Sequence, residues 1–350
     1  MAKTQGGNGH LGELILIMKF SKITSSHQLS IKNLLPELGK FYDGHENAKF
    51  FNQLIDKDKK DNNGYFTIKK EIWSVLGDQS EFCGFVCLNY KRGNTVKIGP
   101  IMVSPNCRGI GIGKFMIKST LEKLEKETVR KVYATTSDEN TPANKLFKNT
   151  GFQLEVELPE QYRAGNKENI WGYFFERPTE IFLNEKSLLS QEDSVDESLQ
   201  IKEFSSETDT QYLQKIIKII KEWHDDIDSG FLKQIIDATR RGLDFETKGK
   251  LILIAKNSKD LPLGLAIAAP KRGGSVKIYP MSGNVNSIKM MIGELKTIFK
   301  KQGYRKLYTF VHASDDKYIQ QLINFGFCLR GTILSPYKSG HDLAVLDLFI

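Results

Sequence analysis

The sequence lacks the features that mark several classes of protein. Its 350 residues include only four cysteines, and none forms a CxxC pair, so neither a disulfide-stapled fold nor a zinc ribbon is indicated. No apolar run approaches the ~18–20 residues that span a bilayer. The apolar run 14–18 is short and no small-residue cleavage site accompanies it, so no signal peptide is expected. We therefore expect a cytoplasmic chain with no membrane partner.

Charge of one sign is also not concentrated anywhere. Lys and Arg number 50 against 42 Asp and Glu, which gives a net charge of +8. No block of five or six like charges occurs, and no basic stripe carries interleaved aromatic residues. The composition therefore predicts no nucleic-acid partner. The six histidines show no HExxH or other metal-ligand spacing, so no metal is expected.

The length suggests two domains, since domains usually run ~100–200 residues. Residues 187–200 read SLLSQEDSVDESLQ, with four acids and no base, which is typical of a linker. We predict a flexible tail over 1–17, a first domain over 18–180, a linker over 181–200 and a second domain over 201–350.

The two sides of this linker repeat one another. Three segments match in the same order, which predicts two copies of one fold. They are Gly93–Pro100 with Gly273–Pro280 at an offset of 180, and, at an offset of 175, Arg130–Tyr133 with Arg305–Tyr308 and Gly151-Phe152 with Gly326-Phe327.

Each half alternates strand and helix patterns. In the first, alternating or continuous apolar runs predict strands, and apolar spacing of three to four predicts helices. The predicted strands cover 18–23, 72–75, 82–90, 96–103, 132–135, 152–158 and 170–175, and the predicted helices cover 113–128 and 141–150. A meander, a helix, a strand, a helix and two more strands indicate an α/β sheet with antiparallel and parallel pairs.

The loop between the strand 96–103 and the following helix carries the chemistry. Gly109, Gly111 and Gly113 alternate there, which lets successive backbone N–H groups turn toward one point and form an anion nest. The helix that follows adds its unpaired N–H groups and the positive end of its dipole. Arg108 and Lys114 flank the loop with positive charge. The pattern predicts a diphosphate site.

Two common nucleotide motifs do not fit this loop. A dinucleotide fold needs GxGxxG after its first strand, whereas here GxGxG comes late in the half. A P-loop needs GxxxxGK followed by Ser or Thr, which is absent. What remains is a loop that reads VxPxxRGxGxG.

This loop resembles the acetyl-CoA loop of the GNAT N-acetyltransferase superfamily, whose pattern is Arg/Gln-x-x-Gly-x-Gly/Ala. Arg108, Gly111 and Gly113 match it position by position. The segment 140–152, NTPANKLFKNTGF, is similar to the family's N-x-x-A-x-x-L-Y-x-x-x-G-F. The resemblance implies an α/β chain of two tandem GNAT-like domains, each a mixed, mostly antiparallel twisted sheet flanked by helices.

The resemblance also implies an activity. The chain would move an acetyl group from acetyl-CoA, as co-substrate and without a metal, to a primary amine by direct attack in a ternary complex. The acceptor would be a small molecule, such as an antibiotic or a metabolite, or a peptide. An alternative is a non-catalytic module of the same fold that senses acyl-CoA or docks a partner.

Roles for individual residues follow from the same resemblance. The loop would hold the pyrophosphate, the strand before it would pair with the pantetheine arm, and the second motif would line the far side of the arm. The backbone N–H of Val103 would stabilise the oxyanion. The implied cofactor residues are Ile101, Met102, Val103, Arg108, Gly109, Ile110, Gly111, Ile112, Gly113, Lys114, Asn140, Ala143 and Phe147.

The sequence departs from the family at Phe147, where a tyrosine often protonates the leaving thiolate. Phenylalanine has no proton to give, so the general acid is open, with Tyr162 and Tyr173 as candidates or solvent in their place. The base is open as well, with Glu81 and Glu139 as candidates.

Two further regions carry expectations. The aromatic-rich insert 37–70 either covers the acceptor side or packs on the sheet as a pair of helices. In the second half, the positions aligned with Arg108, Gly109 and Gly111 are Ile288, Lys289 and Met291. We expect that half to bind no acetyl-CoA and to shape the acceptor pocket or to pack as a pseudo-dimer partner, in a monomer or a homodimer.

Overall fold

A computed structural model describes most of the chain. The described residues are 18–42, 48–55, 65–182, 187–190, 198–225 and 227–350. The predicted tail over 1–17 lies outside them, and so do parts of the predicted linker and of the insert 37–70.

The first half contributes seven strands and four α-helices to the described residues. The strands are β1 (Lys19–Lys22), β2 (Thr67–Leu76), β3 (Phe82–Lys91), β4 (Thr95–Val103), β5 (Lys131–Ser137), β6 (Gln153–Pro159) and β7 (Lys167–Phe174). The helices are α1 (Gln28–Leu34), α2 (Ala48–Ile55), α3 (Ile112–Lys126) and α4 (Thr141–Asn149), with a 3-10 segment at Leu35–Lys40.

The second half contains the same series of strands and helices. Its strands are β8 (Gln200–Glu203), β9 (Leu251–Lys256), β10 (Pro262–Lys271), β11 (Ser275–Gly283), β12 (Lys306–His312), β13 (Cys328–Ile333) and β14 (Leu343–Phe349). Its helices are α5 (Glu207–Ile220), α6 (Ser229–Thr239), α7 (Val285–Lys301) and α8 (Asp316–Asn324).

All fourteen strands form one sheet, in the order β1-β2-β3-β4-β5-β7-β6-β13-β14-β12-β11-β10-β9-β8. The order reads the same from both edges once the strands of the two halves are matched, and the halves meet where β6 pairs with β13. The pairs are antiparallel except β4 with β5 and β11 with β12. The predicted α/β fold class is confirmed.

Helices cover both faces of the first half's sheet, because its central strands are apolar on both sides. On β3, Val86 and Leu88 pack in a core with α3, whereas Phe85 and Cys87 pack on the opposite face with α1 and α2. Continuous burial of this kind is why the sequence predicted β3 and β4 to within a residue.

β2 starts earlier than its predicted first residue, position 72. The structure begins β2 at Thr67, because Lys69 and Lys70 pair in register with Tyr90 and Asn89 of β3. The ammonium group of Lys69 lies 4.0 Å from the centre of the Tyr90 ring, a cation–π contact. Apolar periodicity did not predict this part of the strand, because its side chains are charged.

The halves exchange equivalent contacts across their junction. Arg130 Nη1 donates to the Ser335 carbonyl of the second half at 2.7 Å, and Arg305 Nη2 donates to the Glu160 carbonyl of the first at 3.4 Å. In each case an arginine at the start of a central strand reaches the β-hairpin loop of the other half. The loop between β6 and β7 is therefore held by both halves.

Gly273, in the turn between β10 and β11, sets this approach. A Cβ atom there would lie 2.2 Å from the Tyr162 carbonyl oxygen, and the residue has φ +83°. We expect Gly273→Ala to lower the free energy of unfolding by about 2–4 kcal/mol, through backbone strain and overpacking. Gly303→Ala is the matched control, since Gly303 has φ +79° but open space around it. Urea denaturation that gives equal losses for both variants would contradict the close approach.

Candidate active site

The site begins where two parallel strands separate. β4 pairs with β5 from Thr95 to Ile98 and then continues to Val103, where it pairs only with β3. The Ser104 N–H donates to Cys83 on β3 at 2.8 Å. Successive N–H groups of a strand point to opposite sides, so the Val103 N–H faces the gap between β4 and β5. This is the backbone edge that the sequence predicted for the pantetheine arm and the oxyanion.

The glycine loop lies at the end of this edge. Gly109 has φ +81° and Gly111 φ +90°, a left-handed conformation in which a side chain is strained. A Cβ atom on either would meet nothing within 4 Å, so the space above the loop is open. Gly111 is the N-cap of α3, whose first N–H groups point into this space. Gly113 is required for a different reason, which is close packing: a Cβ atom there would lie 3.2 Å from the side chain of Leu146 on α4.

A groove of about 690 Å³ runs along the edge and the loop, and we call it the outer groove. It collects most of the predicted cofactor residues, from three separate segments of the chain. They are Ile101, Met102, Val103, Arg108, Gly109, Gly111, Ile112, Gly113, Lys114, Asn140 and Ala143.

Two predicted cofactor residues do not line the outer groove. Ile110 is 53% exposed and is not among the residues that line it. Phe147 is fully buried, where its ring packs against Phe152 and Trp171. Phe147 is therefore a core residue on the apolar face of α4. It lines only the second cavity, which is described below.

Arg108 lies at the rim of the outer groove. Its Nη2 forms an ion pair with Glu37 Oε2 at 2.6 Å, and its Nε donates to the Val103 carbonyl at 3.1 Å. Because both side chains are well exposed, this pair contributes little to stability. It does keep a guanidinium beside the glycine loop.

A second cavity of about 300 Å³, the inner cavity, opens on the other side of the gap. It shares Leu38, Ile101, Asn140 and Ala143 with the outer groove, so the two spaces meet where β4 and β5 part. Its remaining lining residues are Tyr42, Phe50, Asn89, Lys91, Lys97, Ile98, Gly99, Pro100, Thr135, Thr136, Phe147 and Tyr162. Residues of the insert 37–70 thus line this cavity as well as packing on the sheet.

Glu168 on β7 lies behind the inner cavity and is buried. Burial raises the pKa of this carboxyl to about 7, against the lowering effects of the Thr135 hydroxyl and the Lys97 charge. Its Oε1 atom has no hydrogen-bond partner within the described residues. The charge of Glu168 also helps to raise the pKa of Tyr42 and Tyr162, after burial. A carboxyl with these properties is suited to accept a proton near neutral pH.

Sequence reasoning missed Glu168 and named other acids. Glu81 and Glu139 are exposed, and the latter accepts a hydrogen bond from Asn166 at 3.0 Å. Of the two candidate tyrosines, Tyr162 lines the inner cavity, whereas Tyr173 packs against Phe152 and Phe175. The internal repeat could have pointed to Glu168, because it aligns this acid with an apolar residue, Leu343, which indicates a buried position.

The second half closes the equivalent gap with the chain itself. Gly283, the equivalent of Val103, donates its N–H to the Leu188 carbonyl at 3.0 Å and accepts from the Ser190 N–H at 2.8 Å. These residues belong to the predicted linker, which is therefore not all loop. The glycine loop is also replaced, because Lys289 and Met291 lie within α7.

The described residues contain no disulfide, metal site or membrane-spanning helix. All four cysteines are free. Within the described ranges, no group of three or more His, Cys, Asp or Glu side chains is arranged to hold a metal ion. In the same residues no helix has the length and apolar character of a membrane span.

Residues 31–152 match the family model described as the acetyltransferase (GNAT) family. The match covers the outer groove and both sequence motifs, and the predicted resemblance is confirmed there. No curated protein matches the chain.

Solved structures also resemble part of the chain. They include a candidate GNAT acetyltransferase from Desulfovibrio desulfuricans (19% identity, 45% of this chain and 98% of that one, TM-score 0.38). Another is spermidine N-acetyltransferase from Vibrio cholerae with CoA and spermine (18%, 45% and 95%, 0.37). A third is a candidate streptothricin acetyltransferase from Bacillus anthracis with acetyl coenzyme A (21%, 31% and 63%, 0.29).

The raised pKa of Glu168 predicts how stability depends on pH. The unfolded chain ionises this carboxyl near 4.5 and the folded chain near 7, so folding loses stability as the pH rises through this range. We expect Glu168→Gln to raise the free energy of unfolding at about pH 8 by at most about 3 kcal/mol, and less at about pH 5. Glu139→Gln, at an exposed acid, is the control. Urea denaturation with no pH-dependent difference between variant and wild type would contradict the burial of this charge.

Proposed function

We propose that the chain is an N-acetyltransferase that moves an acetyl group from acetyl-CoA to a primary amine of a small molecule or peptide. The observation that carries this proposal is the meeting of the outer groove and the inner cavity at the open edge of β4. One space offers an anion nest and a free backbone edge, and the other is a separate chamber with a titratable carboxyl behind it. Two substrates can therefore approach the same backbone N–H from opposite sides.

The residues of the outer groove fit acetyl-CoA. The open space above Gly109 and Gly111 accommodates a diphosphate, and the α3 N-terminus with Arg108 and Lys114 supplies positive charge. The edge of Ile101–Val103 would pair with the pantetheine amides, as Gly283 pairs with residues 188–190 in the second half. When bound, acetyl-CoA supplies a thioester whose C–S bond breaks as the new C–N bond forms.

The protein residues then handle position and protons. The Val103 N–H would stabilise negative charge on the acetyl oxygen. Glu168, deprotonated, would accept the proton of the attacking amine directly or through a water molecule in the inner cavity. A proton from solvent or from Tyr162 would reach the departing thiolate. Holding both substrates together would supply much of the rate.

Several features remain predictions. These are a cytoplasmic location, the domain boundaries, and an assembly as a monomer of two similar halves or a homodimer. The closed gap and the helical start of α7 support our expectation that the second half binds no acetyl-CoA. The buried Phe147, which has no proton to give, favours the alternative of a non-catalytic module that senses acyl-CoA or docks a partner.

Calorimetric titration tests the cofactor site. We expect one acetyl-CoA per chain, with binding lost in Gly111→Asp because a carboxylate would occupy the anion nest. Gly303→Asp is the matched control, since Gly303 also has positive φ and open space but lies in the α7–β12 turn. Two equivalents per chain would contradict our interpretation of the second half, and no binding would contradict the proposed function.

The pH dependence of acetyl transfer tests the base. We expect kcat/KM to rise with pH through an apparent pKa of about 7, since Glu168 must lose its proton to act. Glu168→Gln should lower kcat by about 10²–10⁴-fold and remove this limb, while acetyl-CoA binding stays unchanged. Glu139→Gln should change neither. An unaltered pH profile in Glu168→Gln would exclude Glu168 as the base, and acetyl-CoA binding without transfer to any amine would favour the sensor.

A further inference from the structure

The inner cavity carries positive charge that no ion pair among the described residues neutralises. Lys91 and Lys97 line it from neighbouring strands. Lys91 Nζ donates to Thr67 Oγ1 at 2.6 Å, and within the described residues neither lysine forms an ion pair. The carboxyl near them, Glu168, is the one that must take up a proton in the proposed reaction.

More cations lie around these two. Burial, together with the charges of Lys97, Lys70 and Lys248, lowers the pKa of Lys91 to about 8. The last of these comes from the second half. Arg272, also from the second half, acts on Tyr162 at the wall of the cavity. Like charges held together in a partly desolvated space favour an anion as the occupant.

The second half shows how such a lysine is satisfied without a ligand. Lys277 occupies on β11 the place that Lys97 occupies on β4. Its Nζ donates to Tyr337 Oη at 3.1 Å and lies 4.3 Å from the centre of the Phe310 ring. The Tyr279 ring is 5.0 Å away. Aromatic rings and a hydroxyl surround this ammonium group.

The first half has smaller residues at two of these positions. Gly99 stands at the place of Tyr279, and Thr135 at the place of Phe310. Both line the inner cavity, so the volume that rings fill in one half is open in the other. The first half thus keeps the lysine and the tyrosine, Tyr162 for Tyr337, but lacks two of the rings that lie around the ammonium group in the second half.

We propose that the acceptor carries, besides its amine, an anionic group that Lys91 and Lys97 bind. This inference rests on the proposed function and names the acceptor's class. Carboxylate and phosphate share the needed chemistry, because lysine ammonium groups form charge-assisted hydrogen bonds with both. Polyamines such as spermine, which would bring cations against these lysines, are disfavoured.

A panel of paired amines tests the inference through acetyl transfer, measured as release of the CoA thiol. γ-Aminobutyrate is paired with butylamine, O-phosphoethanolamine with ethanolamine, and spermidine is added. We expect kcat/KM to be about 10- to 100-fold higher for the acidic member of at least one pair. The pair that shows the difference distinguishes carboxylate from phosphate.

Variants assign the effect to the lysine. Lys97→Gln should raise KM for the preferred acidic amine about 10- to 100-fold and leave the affinity for acetyl-CoA unchanged. Lys97→Arg should restore most of the loss because the positive charge is kept. Lys277→Gln, at the equivalent position of the second half, should leave KM unchanged.

The outcomes separate the inference from the proposed function. Equal or better transfer to the neutral amines or to spermidine would overturn the anionic acceptor and leave the acetyltransferase intact. If no amine is acetylated, the proposed function fails, and titration of γ-aminobutyrate and O-phosphoethanolamine into the CoA-saturated protein decides the inference. Binding lost in Lys97→Gln but kept in Lys277→Gln would support the anion site, and any other result would overturn it.

Discussion

Backbone hydrogen bonding at the gap between two parallel strands is the constraint on which this structure depends. After Ile98, β4 leaves β5, and the polar groups along its free edge need partners, since burying them unpaired costs several kcal/mol. The second half meets this need with its own chain, because Gly283 pairs with residues 188–190. The first half keeps the edge open, with the glycine loop at its end and a cavity on its other side. A substrate that pairs with this edge would complete the sheet.

The two halves share a backbone and differ in chemistry. Apolar residues on β3 and β10 keep the sheet buried in both. Glu168 in one half is a buried carboxyl, whereas its equivalent in the other half, Leu343, is part of the hydrophobic core. Lys97 and Lys277 are identical residues in different surroundings. The comparison within one chain therefore separates what the fold requires from what a reaction requires.

Local patterns made the fold and the glycine loop predictable. Alternate glycines after a strand form a nest through their own backbone, and apolar runs form buried strands. Both features follow from local sequence and do not depend on contacts with residues far away in the chain. Glu168 was not predictable in this way, because KENIWGYF reads as a strand with a solvated charge. Its burial depends on the tertiary fold, which brings Tyr42 from a distant segment close enough for the charge of Glu168 to raise the pKa of that tyrosine. The pairing of residues 188–190 with Gly283 was not predictable either, because the acid-rich composition of this segment indicated a linker.

The β6–β7 loop connects the halves in a further sense. Tyr162 stands in the wall of the inner cavity, yet its carbonyl rests against Gly273, and the neighbouring Gln161 bonds Ser275 at 3.1 Å. The second half, which has no glycine loop at the equivalent position, thus shapes one wall of the inner cavity in the first half. Substitutions on the second half's side of this junction can therefore change the shape of the inner cavity while the glycine loop of the first half stays as it is.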